Sequence, residues 1–156
     1  KVVGDDNTVY LKKPMSSSEL GQSIRSAEAF LNRMEAYALS GEEGLALAEL
    51  NAFRKTRVIG YTDVNLSGQA LLDAIRLERR KELCFEGHRW FDLRRQGMPE
   101  IKHTYKAEKG GAVYEYVLQQ GDPMYTLPFP NSVVLQNRAL VQNPSREMGA
   151  RQGEIQ

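Results

Sequence analysis

Residues 71–95 constrain the fold of this chain most, because they place charged side chains where a helix needs apolar ones. Leu71 and Ile75 lie four residues apart and begin an apolar stripe along a predicted helix. One turn further, the same stripe carries Glu78, Arg79 and Glu82. Burying an unpaired charge is costly, so these side chains need partners of opposite charge if the stripe is buried.

Candidate partners follow closely in the sequence. They are three arginines and an aspartate, Arg89, Asp92, Arg94 and Arg95. We therefore predict an internal network of ion pairs that joins two helices around Trp90 and Phe91.

Apolar periodicity elsewhere predicts a mainly α-helical fold with little strand. Helices are expected at about 23–39, 42–57, 67–84 and 88–96, with Ser40-Gly41 ending the first and Ser67 capping the third. The packing residues expected in the first two helices are Ile24, Ala27, Phe30, Leu31, Met34, Tyr37, Ala38, Leu45, Ala46, Leu50 and Phe53. Phe30, Tyr37, Gly41 and Ala46 also fit the spacing of a tetratricopeptide-like helical hairpin, although one partial repeat is a weak signal.

The remaining segments carry weaker patterns. Residues 1–21 are predicted to be a loop-rich lead-in with a short extended piece near residues 8–11. A short helix is expected before His103, and residues 112–118 fit a strand or an extended loop. Prolines and asparagines predict a long irregular segment over 123–144, and we expect residues 146–156 to be poorly ordered.

Composition excludes several classes of function. The net charge is +1, and no basic stripe is present, so binding to nucleic acid is not expected. The single cysteine, Cys84, lies between Leu83 and Phe85 and is predicted to be a buried, inert thiol. His88 and His103 do not have the spacing of a zinc site, and no phosphate-binding loop or nucleophile elbow is found, so neither metal nor cofactor is expected.

Glu78 and Glu82 are the only pair that suggests catalysis. Two carboxylates on one helical face could serve as the acid and base of a glycosidase. Five arginines lie nearby, at positions 76, 79, 89, 94 and 95. Because cations favour ionised carboxylates, whereas a general acid must keep its proton, structural ion pairs are the preferred interpretation.

Aromatic residues are the other candidates, since aromatic rings stack on sugars. Trp90 is predicted to belong to the core. Four tyrosines near glycine-rich loops are better candidates for a surface role than Trp90, although pinning an irregular segment onto the helices is the preferred interpretation for them: Tyr105, Tyr114, Tyr116 and Tyr125. No ligand-binding residue is assigned from the sequence.

Three ordered motifs resemble the SusD/RagB family of nutrient-binding outer-membrane lipoproteins. The first consists of Ile75, Glu78-Arg79, Glu82-Leu83, Phe85-Glu86-Gly87, Arg89-Trp-Phe-Asp-Leu-Arg-Arg95 and Gly97. The second consists of Tyr125-Thr-Leu-Pro-Phe-Pro130 and Gln142-Asn-Pro144, with Phe129 and Ser145 as departures from the family pattern. The third is Ile24-Arg-Ser-Ala-Glu-Ala-Phe-Leu-Asn32.

The resemblance implies a C-terminal helical domain over residues 22–145 with tetratricopeptide-like packing. It implies a protein of the outer cell surface that binds oligosaccharides or other nutrients without cleaving them. Its partner would be a TonB-dependent transporter of the outer membrane. The parent would carry its lipid anchor in an N-terminal region outside these residues. An alternative is a scaffold domain for transporter or interdomain docking, with the ligand site in that N-terminal region.

Overall fold

The structure is a computed structural model that describes residues 2–3, 9–10, 25–147 and 153–155. The chain divides into two compact units, Lys1–His88 and Arg89–Gln156. The lead-in predicted over residues 1–21 falls outside the described residues, except for two antiparallel strands of two residues each, β1 (Val2–Val3) and β2 (Val9–Tyr10). The second strand lies within the extended piece predicted near residues 8–11.

Three helices build the first unit. They are α1 (Ser26–Leu39), α2 (Glu43–Lys55) and α3 (Gly68–Glu82). Helices α1 and α2 form a hairpin, and α3 packs against both. Each helix lies where its periodicity predicts it, with ends that differ by at most three residues from the expected ones.

The turn between α1 and α2 forms at the predicted Ser40-Gly41. Gly41 has a φ of +86°, which glycine adopts without the steric cost that a Cβ would bring. The amide of Glu42 donates to the carbonyl of Tyr37, which satisfies one of the last carbonyls of α1. The short turn therefore sends α2 back along α1.

The core of the first unit lies between these three helices. Its members are Ala27, Leu31, Met34, Ala46, Leu50, Phe53, Leu71, Ile75 and Leu83. Two predicted core residues are instead exposed, Phe30 and Leu45. The ring of Phe30 lies under the guanidinium of Arg33, 5.1 Å from its Cζ, so this ring contacts a neighbour one turn away on α1.

Asn51 anchors the long connector that follows α2. Its side-chain oxygen accepts hydrogen bonds from the amide of Val64 and the hydroxyl of Tyr61, and its nitrogen donates to the Val64 carbonyl. The amide side chain thus replaces a short stretch of backbone pairing. Sequence reasoning missed this role, because a single asparagine within a helix carries no positional signal.

The second unit combines a small sheet with short helices. Helix α4 (His88–Arg95) begins at the boundary between the units, and β3 (Ile101–Lys106), β4 (Val113–Leu118) and β5 (Glu154–Ile155) form an antiparallel sheet in the order β3-β4-β5. Two 3-10 helices, Pro123–Tyr125 and Pro144–Glu147, flank α5 (Asn131–Gln136).

Several predictions for this unit need correction. The short helix expected before His103 is wrong, because residues 101–106 form β3, which pairs along its whole length with β4. Of the two alternatives for residues 112–118, a strand or an extended loop, the structure shows the strand. The irregular segment 123–144 contains one short α-helix, α5, and the end of the chain contributes β5 to the sheet. Residues 148–152 and 156 lie outside the described residues.

The mainly helical fold with tetratricopeptide-like hairpins and little strand is confirmed. No helix in the described part of the chain is long and apolar enough to cross a bilayer.

Candidate functional site

The acidic residues of α3 form ion pairs with residues that precede them in the chain. Glu78 is 7% exposed, and its Oε2 lies 2.8 Å from Nε of Arg54 in the last turn of α2. Glu82 lies 3.1 Å from Nε of Arg57 and 3.3 Å from Nη2 of Arg25. The prediction that charges on this stripe are internally paired is confirmed.

The arginines of α3 bind α1 in the same way. Nε of Arg76 lies 3.0 Å from Oε1 of Glu35, a carboxylate that is itself buried. Arg79 donates to Oδ1 of Asn32 at 2.8 Å and to Oε1 of Glu28 at 3.3 Å. The two opposite signs of charge on α3 therefore tie it to both other helices of the unit.

The network draws on arginines outside the segment that the sequence singled out. The carboxylates of α3 are paired with Arg25 before α1, Arg54 in the last turn of α2 and Arg57 just after α2. Arg95 lies 3.1 Å from Asp92, one turn away on α4. Since α1 and α2 pack directly on α3, side chains in and beside these helices come within reach of its charges.

The hydrogen bonds of Arg54 keep its guanidinium protonated although it is partly buried. Burial lowers the pKa of its guanidinium, but hydrogen bonds to Tyr61 and Glu78 together raise that pKa above its ordinary value. The guanidinium therefore remains charged and paired with Glu78. A carboxylate that is both buried and occupied in this way has no access to a substrate, which argues against a catalytic role for Glu78.

Cys84 does not lie in the core. The prediction of a buried thiol is wrong, because α3 ends at Glu82 and the chain turns through residues 83–87, where Phe85 has a φ of +64°. This turn exposes both Cys84 and Phe85, whereas Leu83 stays buried.

The histidines are separate from each other. Nδ1 of His88 lies 3.6 Å from Oε1 of Glu28, within the first unit, and His103 lies on β3 in the second unit. Among the residues that the structure describes, no group of three or more histidine, cysteine or acidic side chains could hold a metal ion.

Trp90 and Tyr125 stack on each other in the second unit. Their ring centroids lie 4.9 Å apart with an interplanar angle of 22°. Tyr125 is 1% exposed, and its hydroxyl donates to the carbonyl of Pro99. Burial raises the pKa of this hydroxyl, so it stays a donor. Tyr125 thus pins an irregular segment, and Trp90 is partly buried beside it.

Phe91 is a second correction to the predicted core. It is 68% exposed, whereas its neighbours Asp92 and Leu93 are buried. A short helix can bury only one face, and in α4 that face carries Asp92 and Leu93. The expected packing around Phe91 is therefore not found within its unit.

Three tyrosines share one face of the sheet. The register places Tyr105 opposite Tyr114 and His103 opposite Tyr116, and opposed residues of antiparallel strands lie on the same side. We call these four residues the tyrosine face. Because side chains alternate along a strand, the lysines of β3 and the glutamate of β4 belong to the other face.

The tyrosine face is partly covered by the end of the chain. A Cβ at Gly153 would lie 2.8 Å from Cβ of Tyr114 and from the ring of Tyr116, so only glycine fits there. Tyr105 is 57% exposed. Of the four tyrosines singled out in the sequence, Tyr105, Tyr114 and Tyr116 therefore come together, and Tyr125 does not join them.

The closing motif at residues 125–145 has a structural explanation. Oε1 of Gln142 accepts from the amide of Phe129 at 2.8 Å, and its Nε2 donates to the Phe129 carbonyl at 3.0 Å. Asn143 donates to the Leu127 carbonyl, and Ser145 donates to the Thr126 carbonyl. These polar side chains fasten two extended pieces of chain to each other, as Asn51 does in the first unit.

The model of the SusD family matches residues 9–145. A SusD-like protein from Bacteroides fragilis is similar over 76% of this chain and 24% of its own, with 26% identity and a TM-score of 0.57. A SusD-like carbohydrate-binding protein from Bacteroides vulgatus is similar over 75% of this chain and 29% of its own, with 25% identity and a TM-score of 0.50.

The chain thus spans roughly a quarter of the length of these two relatives. A search of the curated proteins found no match. Since the family model covers most of the residues, and includes all three segments singled out above, the chain belongs to the SusD family.

Proposed function

We propose that this chain is the C-terminal part of a cell-surface nutrient-binding lipoprotein that delivers oligosaccharides to a TonB-dependent transporter of the outer membrane. Family membership is the observation that carries the proposal. One of the two similar structures is itself described as carbohydrate-binding. In this proposal the protein binds its ligand and does not cleave it.

The tyrosine face is a surface suited to such a ligand. Sugars bind to exposed aromatic rings through their C–H faces, while tyrosine hydroxyls and imidazole nitrogens hydrogen-bond to sugar hydroxyls. The tyrosine face presents both groups, with Tyr105 as its most accessible aromatic ring. The acids of α3 are excluded from this role because guanidinium groups already occupy them.

Calorimetric titration of the purified chain with a panel of neutral oligosaccharides tests the proposal. We expect binding by the native chain and a loss of about tenfold in affinity for Tyr105→Ala, which corresponds to roughly 1.4 kcal/mol. Phe91→Ala is the matched control, since Phe91 is an exposed aromatic residue of the same unit that lies off the sheet. Equal losses in the two variants, or no loss in Tyr105→Ala, would refute the assignment of the tyrosine face.

A second candidate function is a scaffold that docks the transporter or another domain of the parent. Exposed apolar side chains of the first unit favour it, among them Leu39, Ile59 and Phe85. Single exposed apolar side chains are ordinary, so this candidate function requires that they form a contiguous apolar patch. Titration of the same panel into the parent protein distinguishes the candidates, because a scaffold predicts binding by the parent and none by this chain.

A further inference from the structure

An open groove in the second unit carries a charged group that the proposals above do not use. Its volume is about 480 Å³, and its lining residues are Asn131, Val134, Leu135, Gln142 and Arg146. Small-molecule sites in proteins range over roughly 300–1,000 Å³. Three of the lining residues come from α5, and the other two come from the closing segment of the chain.

Arg146 gives the groove its positive charge. Its Nη1 donates to Oδ1 of Asn131, and no carboxylate pairs with it among the side chains that the structure describes, which do not include that of the neighbouring residue 147. One hydrogen bond leaves four of the five guanidinium N–H groups for a ligand or for water. Two of these donors point in parallel from a planar group, which is the geometry that binds a carboxylate with two hydrogen bonds.

The other lining residues are apolar or amide. Val134 and Leu135 present aliphatic surface, and Leu135 is 79% exposed. Gln142 is held in place by its two hydrogen bonds to the Phe129 backbone, so its position in the groove does not depend on a ligand. The groove therefore offers a cation, an aliphatic surface and fixed amide groups within one small volume.

We propose that this groove binds a uronic acid unit of an acidic oligosaccharide. The guanidinium of Arg146 pairs with the uronate carboxylate, the amides of Asn131 and Gln142 hydrogen-bond to sugar hydroxyls, and the aliphatic surface takes the C–H face of the ring. A small inorganic anion would bind only to the guanidinium and would leave the apolar surface exposed to water. This inference rests on the proposed function and names one class of saccharide within it.

Calorimetric titration with trigalacturonate and with its methyl ester tests the inference, because the two ligands differ in charge and share the sugar backbone. We expect the native chain to bind the acid about tenfold more tightly than the ester. Arg146→Gln should lose that preference while binding of the ester stays unchanged. Leu135→Glu, which places a carboxylate in the groove at an exposed position, should also abolish binding of the acid.

Arg138→Gln is the matched control, since Arg138 is an exposed arginine of the same segment that does not line the groove. Its affinity for trigalacturonate should equal that of the native chain. Circular dichroism of each variant verifies its folding, and Arg146→Gln should stay folded because the side chain is at the surface.

Two results with the variants would overturn the inference: Arg146→Gln weakens binding of the acid and of the ester to the same extent, or Arg138→Gln loses as much affinity for the acid as Arg146→Gln does. Two results with the native chain would also overturn it: the acid and the ester bind with the same affinity, or inorganic phosphate binds as tightly as trigalacturonate. If neutral oligosaccharides bind and trigalacturonate does not, the inference fails while the proposed function stands. If no saccharide binds, the proposed binding function of this chain fails with it.

Discussion

Replacing Glu78 by glutamine tests whether the charges of α3 form a structural frame. The substitution keeps the size of the side chain and one acceptor oxygen, but it leaves the guanidinium of Arg54 without its counter-charge. Glu78 and Arg54 have side-chain exposures of only 10% and 14%, so water screens the change weakly. Arg54 keeps its hydrogen bond with Tyr61, and this limits the loss of folding stability.

The expected loss follows from these exposures. Removing one partner of a buried pair costs roughly 3–5 kcal/mol, and the retained hydrogen bonds reduce this to about 2–3 kcal/mol. At roughly 2–4 °C per kcal/mol for a chain of this size, Tm should fall by about 4–12 °C. Thermal unfolding followed by circular dichroism measures the shift, and urea unfolding gives the free energy directly.

Glu49→Gln is the matched control. Glu49 lies 2.6 Å from Arg33, closer than Glu78 lies to Arg54, but the side-chain exposures in that pair are 24% and 51%. An exposed pair contributes about 0.2–1 kcal/mol, so its loss should shift Tm by at most a few degrees. Equal destabilisation by the two substitutions would refute the reasoning, because burial and not distance is the proposed cause of the difference.

Three further predictions concern the polar side chains that organise irregular segments. Asn51→Ala removes three hydrogen bonds to the connector and should lower the free energy of unfolding by about 2–4 kcal/mol in urea titrations, and a loss below 1 kcal/mol would contradict this role. Gln142→Ala should lower the free energy of unfolding by only about 1 kcal/mol, but it should markedly speed hydrogen exchange of the Phe129 amide. Unchanged exchange would contradict the role of Gln142 in holding the Phe129 backbone. The raised pKa of Tyr125 gives a stabilising contribution that is complete below pH 10, the ordinary value, and lost as pH rises through the folded-state pKa. Stability should therefore fall more steeply above pH 10 in the native chain than in Tyr125→Phe, and equal slopes would count against the buried donor.

Helical periodicity predicted the first four helices because each has a local apolar pattern. Leu71 and Ile75 are buried as expected, and Glu78 and Arg79 continue the buried stripe. Arg25, Arg54 and Arg57 could not be predicted as partners of these charges, because their contacts depend on which helices pack together. Arg25, for example, lies more than fifty residues from its partner Glu82 in the sequence, and nothing local marks the pair.

The errors share a physical origin in tertiary context. Strand β3 has no strong strand pattern of its own and forms through pairing with β4, a segment that the sequence left open between a strand and an extended loop. Cys84 and Phe91 were assigned to the core from apolar neighbours in sequence, but a turn at 83–87 and the single buried face of α4 expose them. The tyrosine face was predicted only in part, because grouping Tyr105, Tyr114 and Tyr116 requires the register of the hairpin.

The central claim is that the acids and arginines of α3 form a frame and that ligands bind elsewhere. Titration of Glu82→Gln with an oligosaccharide that the native chain binds, at a temperature where circular dichroism shows the variant to be folded, tests this claim most directly. Glu82 pairs with Arg25 and Arg57, so the variant should be less stable but should bind with the native Kd. A folded Glu82→Gln protein that no longer binds the oligosaccharide would contradict the claim.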